Sequence, residues 1–418
     1  MLVKTALGKI ALVTALIFAC WAFAIEPVNG DSFNVEANFD LAALTPDNFY
    51  DVVVPLAEEQ GSLVFFDFTE SFGPFFLDTV IPMFEAKYDI DVEHFSVDGN
   101  QAVQQMIAAR NAGSSAPADV FFLPNGQALT ATEGGITANL PLNTMLPSAP
   151  DLDQGAATVS RGYTHGGTIV PFHRNQTAIG YDTRFVSEDE VPRTFEALSA
   201  FAAAHRGEVA VTSPARGGSG SGFLESAILH FTREECQARL YDASLTEAEA
   251  EAWAASDCLD PVLGYFAELA PNVEITNGNS DTLTLIANGV AHVGTVWEDM
   301  GFDFIGRGLL PPTVRFLLLD DGQVGDGDGV MIPAGTEKLA AALLFVDFLL
   351  SDEVQLVKIE RNGSRSARLG LDLSSALSEE TQARLVPSDQ YPANSRPRIN
   401  NLITNKSRDR VVAEVLAQ

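Results

Sequence analysis

Ser219-Gly220-Ser221-Gly222 stands where a helix is expected to open at Phe223, and that combination suits an oxyanion. Open backbone N–H groups and the positive end of a helix attract negative charge, and two hydroxyls can add hydrogen bonds. No Gly-Lys-Ser/Thr follows, so this is not a P-loop, and no G-x-S-x-G frame fits residues 217–222. The bland alternative is a glycine loop feeding a capped helix. Trp297, Glu298 and Asp299 end a predicted strand. An indole beside two carboxylates can hold an amine by cation–π attraction and charge, while a core tryptophan with solvated acids is the competing reading. Asn279, Ser280 and Asp281 begin a helix, as an N-cap or as ligand contacts. Thr69, Glu70, Ser71 and Phe72 follow one predicted strand, and Pro124, Asn125 and Gly126 follow another. His173, Arg174, Asn175 and Gln176 interrupt a long extended run over 168–182. His173 fits a hydrogen-bonding role there; Arg174 meets either a ligand anion or one of the chain's many acids.

Other chemistry finds no support. The six histidines are dispersed, without H-E-x-x-H or comparable spacing, so neither a metal nor a cofactor is expected. Asp326-Gly327-Asp328-Gly329 hints at calcium but lacks the downstream glutamate of an EF-hand loop, and reads as a tight turn entering a short strand from Gly329 to Ile332. No triad order can be read, which leaves a secreted α/β hydrolase as a rival class without a motif. The formal net charge of −31 disfavours nucleic acid and anionic lipid as partners. An acidic proteome would produce the same charge, so it does not by itself imply a cationic ligand.

Residues 1–24 read as a secretory signal peptide: Lys4 and Lys9, an apolar core from Ile10 to Cys20, and Ala22-Phe23-Ala24 as cleavage site. Cys20 lies in a poor lipoprotein context because of Phe18. Cleavage removes two lysines and no acid, taking the charge from −31 to −33. Cys236 and Cys258 remain, in a helix-rich stretch and an oxidising compartment, and one disulfide is the economical reading, worth about 3 kcal/mol by loop closure.

The elements that must position these groups begin after an irregular arm. A helix runs from Thr45-Pro46-Asp47 to about Glu59 and is ended by Gly61. Strands at 62–68, 90–97 and 118–123 alternate with helices at 75–87 and 99–112, a doubly wound α/β pattern. Right-handed crossovers bring the loops after Phe68 and Leu123 to the carboxyl edge of the sheet, where ligands bind. The run 168–182 breaks the alternation. A helix start at Pro192–Leu198 and strands at 208–212 and 291–297 follow. After the glycine–aspartate turn, Thr336 is expected as N-cap of an Ala/Leu-rich helix.

The segment from Gly329 through Pro333-Ala334-Gly335 to Phe348-Leu349-Leu350-Ser351-Asp352-Glu353-Val354-Gln355 resembles bacterial extracellular solute-binding proteins. So do Gln176-x-Ala178-x-x-Tyr181-Asp182, Val191-Pro192-x-Thr194-Phe195, Asn288-Gly289 with Gly294 and Trp297, Gly308-Leu309-Leu310-Pro311 and Asp321-Gly322-Gln323. The likeness covers roughly residues 55–370 and is nearest to receptors for iron, thiamine, polyamines and phosphorylated solutes. Iron binding of that kind uses adjacent tyrosines, and none of the seven tyrosines here adjoins another. The resemblance implies two doubly wound lobes joined by hinge strands. Residues 25–60 form an arm and helix; 61–167 with about 300–345 form lobe one. Residues 168–299 form lobe two, with crossings near 168–182 and 290–300, and 346–418 are helices packing on the lobes. It further implies a monomeric periplasmic receptor that passes a small solute to an ABC permease in the inner membrane. The expected contacts are Thr69, Glu70, Ser71, Phe72, Asn125, Arg174, Gln176, Ser219, Gly220, Ser221, Asn279, Asp281, Trp297 and Glu298. Their mixture of charges suits a zwitterionic or phosphate- or phosphonate-bearing solute, and a polyamine or thiamine-like cation is the alternative.

Overall fold

The computed structural model describes residues 39–416 apart from 70, 71, 153, 154 and 156. The expected leader, Cys20, the arm before residue 39, and Glu70 and Ser71 lie outside the described residues.

Helix Phe49–Gln60 ends, as its sequence predicts, on Gly61 in the left-handed region (φ 67°). β1 (Ser62–Asp67), β2 (Asp91–Ser96) and β3 (Val120–Leu123) then pair in parallel through helical crossovers. β3 is buried at every residue, because apolar layers cover both faces of the sheet. A short hairpin, β4 (Val159–Ser160) and β5 (Tyr163–Thr164), precedes β6 (Ile169–Asp182). β6 is the hinge strand the sequence marks. Ile169–Gln176 lies among the strands of the first half, and Thr177–Asp182 among those of the second. β7 (Val209–Thr212), β8 (Glu274–Thr276), β9 (Val293–Trp297) and β10 (Val314–Leu317) build that second half. β11 (Gln323–Met331) returns antiparallel to β6 and β3, and β12 (Ser395–Pro397) runs parallel to its first residues. Among the described residues the order is β2-β1-β3-β11-β6-β9-β7-β8.

Four expectations are corrected. The return passage is β11 rather than residues near 290–300, since β9 stays within the second half, between β6 and β7. Residues 300–322 likewise belong there, because β10 pairs with the far end of β6. Asp326–Gly329 are therefore strand, not turn: alternation of Gly and Asp has the period of two that a strand requires. Close approach explains the glycines, for a Cβ at Gly327 would lie 1.9 Å from the His173 carbonyl oxygen. Finally, the helix expected to open at Phe223 begins at Gly218, which places the serine–glycine run inside its first turns.

Two cores flank the hinge. In the first, every residue of helix Leu339–Leu349 is buried, and Phe345 packs edge-on against Phe65 (5.2 Å) and Phe84 (5.0 Å). Asp347 survives inside this apolar helix because Tyr50 Oη (2.7 Å) and the Ser148 N–H (2.9 Å) both donate to it. Thr336 does not cap the helix; its hydroxyl donates to Asp119 and accepts from the Lys338 N–H. The second core gathers Phe195, Phe223 and Phe266, and helix Asn401–Val411 adds Ile403 and Val411. Helix Asn401–Val411 thus packs on the second half, after the chain has passed the hinge once more at β12. Cys236 and Cys258 form the expected disulfide, with Cα atoms 5.8 Å apart.

Candidate functional site

A cavity of about 610 Å³ lies where β11, β6, the β4–β5 hairpin and the C-terminal segment meet. Its lining includes four arginines (Arg161, Arg174, Arg396, Arg398), two aspartates (Asp326, Asp328) and Asn125. Val159, Tyr241 and Leu369 give it an apolar rim, and all three are exposed.

Strand period two sets Asp326 and Asp328 on one face of β11. The loop after β3 meets them there: Asn125 donates its backbone N–H to Asp328 (2.8 Å) and its side-chain amide to Asp326 (2.6 Å). Withdrawal from water pushes Asp328 up to about 7, with neighbouring Asp326 adding to the effect. Opposite them stands Arg161, the one non-glycine residue with positive φ (49°) among the described residues, followed by Gly162 (φ 83°) in the hairpin turn. Holding a β-bearing residue there costs about 1 kcal/mol or more, and such strain collects at ligand clamps. The turn carries the guanidinium across to the other half, within 3.4 Å of Glu225 and Asn401 and 3.7 Å of Asp326. Arg398 grips the same Glu225 at 2.5 and 3.0 Å and donates to Ser221 Oγ at 3.2 Å. Burial would raise Glu225, yet Arg398 and Arg161 overcome it and hold the carboxyl below its ordinary range. Three segments distant in sequence thus share one buried carboxylate.

Of the residues chosen from sequence, Asn125 and Arg174 line this cavity. Thr69 is turned back onto Asp67, to which its N–H and hydroxyl donate (2.7 and 2.8 Å). Phe72 is buried against Phe76 and Phe122. Gln176 is fully buried at the hinge, donating to the Gln323 carbonyl (3.1 Å) and accepting from Ser395 Oγ (2.8 Å). Ser219 is fully buried as well; its hydroxyl donates to Asn279 Oδ1 (2.8 Å), which also takes the Ser219 N–H (3.1 Å). Gly220 is pressed against β7, where a Cβ would meet the Thr212 carbonyl oxygen at 2.1 Å. Asp281 is exposed in the first turn of helix Asn279–Ala287. Trp297 is buried, with Arg398 5.9 Å above its ring. Glu298 is buried and held by Arg365 at 2.6 and 2.8 Å. Sequence reasoning missed Arg161, Asp326, Asp328 and Arg398. The strict Gly-Asp alternation was the readable signal for two of them.

Below the cavity, His173 Nδ1 is 2.7 Å from Ser364 Oγ, and Nε2 is 3.5 Å from Asp299. Burial, then Lys358 and Arg174, push His173 down to about 3, while burial pushes Asp299 up to about 7. This is a contact between a neutral ring and an acid pushed toward its protonated form rather than an ion pair. Ser364 is fully buried and also accepts the Arg174 N–H (3.3 Å), so its oxygen cannot reach a substrate. Lys358, fully buried, donates to the carbonyls of Phe172 and Arg365 and to Gln355, and so stitches the crossing segments together.

Residues 79–384 match the family model of bacterial extracellular solute-binding proteins, and the chain belongs to that family. A comparison with curated proteins finds no match. Solved structures share the fold. A spermidine/putrescine ABC transporter substrate-binding protein from Streptococcus pneumoniae superposes with TM-score 0.61 at 13% identity, over 84% of this chain and 98% of its own. An ABC transporter protein from Clostridium perfringens gives 0.60 at 16%, over 84% and 98%. A ferric binding protein from Campylobacter jejuni gives 0.52 at 16%, over 84% and 95%. The architecture is thus the two-lobed α/β one of these receptors. Among the described residues no helix is long and apolar enough to cross a membrane.

Proposed function

We propose that the protein is the periplasmic substrate-binding component of an ABC importer, exported by its leader and working as a monomer. A small solute enters the cavity between the lobes and is delivered to a permease after closure about β6 and β11. The observation that carries this reading is the cavity's position: it is walled by both hinge strands and by groups from each lobe, so a solute that touches both favours the closed state. About 610 Å³ suits a small organic molecule. Arg398 and Arg161 already hold Glu225, so a solute anion falls to Arg174 together with Arg161, and its donor groups to Asp326 with Asn125, a mixture that favours a zwitterion or a phosphate- or phosphonate-bearing solute. A wholly cationic solute would have Asp326 and Asp328 alone, because Arg365 already neutralises Glu298. The Ser364–His173–Asp299 set described above is closed to solvent at Ser364, which speaks against its use as a catalytic triad.

A thermal-shift screen of the purified protein against amino acids, organic phosphates and phosphonates, and polyamines, with product analysis alongside, tests this. The expected result is a saturable shift with a zwitterion or organophosphate and no turnover. A shift with polyamines alone transfers the site to the cationic reading, and turnover of any solute contradicts a receptor.

A further inference from the structure

Outside the cavity, Glu196, His230 and Asp321 converge, with one ligand atom from each within 4.8 Å of the others. Glu196 stands in the first turn of helix Phe195–Ala204, His230 in the last turn of helix Gly218–Phe231, and Asp321 in the loop that feeds β11. His230 Nε2 lies 3.1 Å from Glu196 Oε1, and Nδ1 lies 3.7 Å from Asp321 Oδ1. A neutral imidazole carries a single N–H, so it can satisfy only one of these carboxylates. A proton on the second nitrogen or a bound metal ion would supply the positive charge missing between the ring and the carboxylates.

The groups are held in place. The imidazole stacks on Phe195 (5.2 Å, 23°) and meets Phe231 edge-on (4.5 Å, 77°). Asp321 is fixed by its other oxygen, which accepts the Phe195 N–H at 2.8 Å. Beside them Tyr265, only 6% exposed, has a hydroxyl with no hydrogen-bond partner. Burial, and then the charges of Glu196, Asp321 and Glu268, raise that hydroxyl, which puts an unsatisfied polar atom in the field of the same carboxylates.

We propose that Glu196, His230 and Asp321 form a binding site for a divalent transition-metal ion. One imidazole with two carboxylates, and a water completing the set, is a donor set that Zn²⁺ accepts. Such an ion would clamp two helices of the second lobe to the root of β11, and none of its ligands lines the solute cavity. The three ligands come from separate segments, so no spacing in the sequence announces them.

Untagged, chelator-treated protein titrated with Zn²⁺ by calorimetry near neutral pH tests the site, with the visible spectrum of bound Co²⁺ as a second readout. The proposal expects one saturable equivalent, a Zn²⁺-dependent rise in Tm, affinity weakened about tenfold or more in E196Q, and neither binding nor Tm rise in H230Q. Glu196 is 65% exposed, so its substitution spares the fold. Absence of saturable binding, or unchanged binding in both variants, overturns it. So does a His230 that titrates with pH by NMR but takes up no Zn²⁺, because the cation between the carboxylates is then only a proton.

Discussion

The first turns of helix Gly218–Phe231 and the middle of β11 are built from the same kind of sequence, small glycines alternating with short polar side chains, yet they do opposite things. At the helix, Ser219 is consumed by Asn279 and Thr212, Gly220 is jammed against β7, and Ser221 is met by Arg398. In β11, the glycines are equally crowded by β6, but Asp326 and Asp328 are turned toward the cavity. Glycine in both places answers to close backbone approach. Whether the intervening polar residues serve a ligand depends on which partners the neighbouring segments have already supplied.

Substitutions can break that comparison at several depths. The largest effect is expected for R398A, which removes the guanidinium shared by both regions and leaves Glu225 buried with Arg161 as its remaining cation. A loss of about 3–5 kcal/mol in chemical denaturation is anticipated, and less than about 1 kcal/mol would mean that Glu225 had found water. G327A should cost about 1–3 kcal/mol or more through its clash with His173. G220A should fall in the same range, and a neutral result at either glycine would remove its crowding argument. A pH dependence comes next. Asp328, raised to about 7 when folded, contributes stability that is fully present below its unfolded pKa of about 3.8 and is lost as pH rises through about 7. D328N should therefore flatten the decline in Tm between those values, and an unchanged profile would show that Asp328 ionises freely in the cavity. Smallest of all, S219A should cost about 1 kcal/mol through the lost hydroxyl contacts to Asn279 and Thr212, since Asn279 Oδ1 keeps the residue 219 N–H. S219A/S221A together should leave solute affinity within about threefold, by the accounting of a site that they do not line.

How much of this was legible follows the same divide. The hinge strand β6 could be read to within a residue, because polar Arg174-Asn175-Gln176 inside an extended apolar run marks a strand that leaves one core and enters another. The buried parallel strands and the Leu339–Leu349 helix were equally plain in their apolar runs. β11 was misread because Gly-Asp pairs are local turn signals, and only the partner strand β6 makes them extended. The candidate site was harder. Asn125 and Arg174 follow from position after a strand and within a crossing, but Arg161 and Arg398 are brought to Glu225 by contacts spanning 64 and 173 residues. No local pattern encodes such distances.

The central claim, that the cavity between the hinge strands is the solute site, is tested most directly by one titration. Wild type, R174M and D326N are compared by calorimetry with whichever zwitterion or organophosphate raises the wild-type Tm. At least about a tenfold loss of affinity is expected in each variant, the worth of one charged contact, with far-ultraviolet spectra unchanged. Wild-type affinity in both variants would contradict it and place the solute elsewhere on the protein.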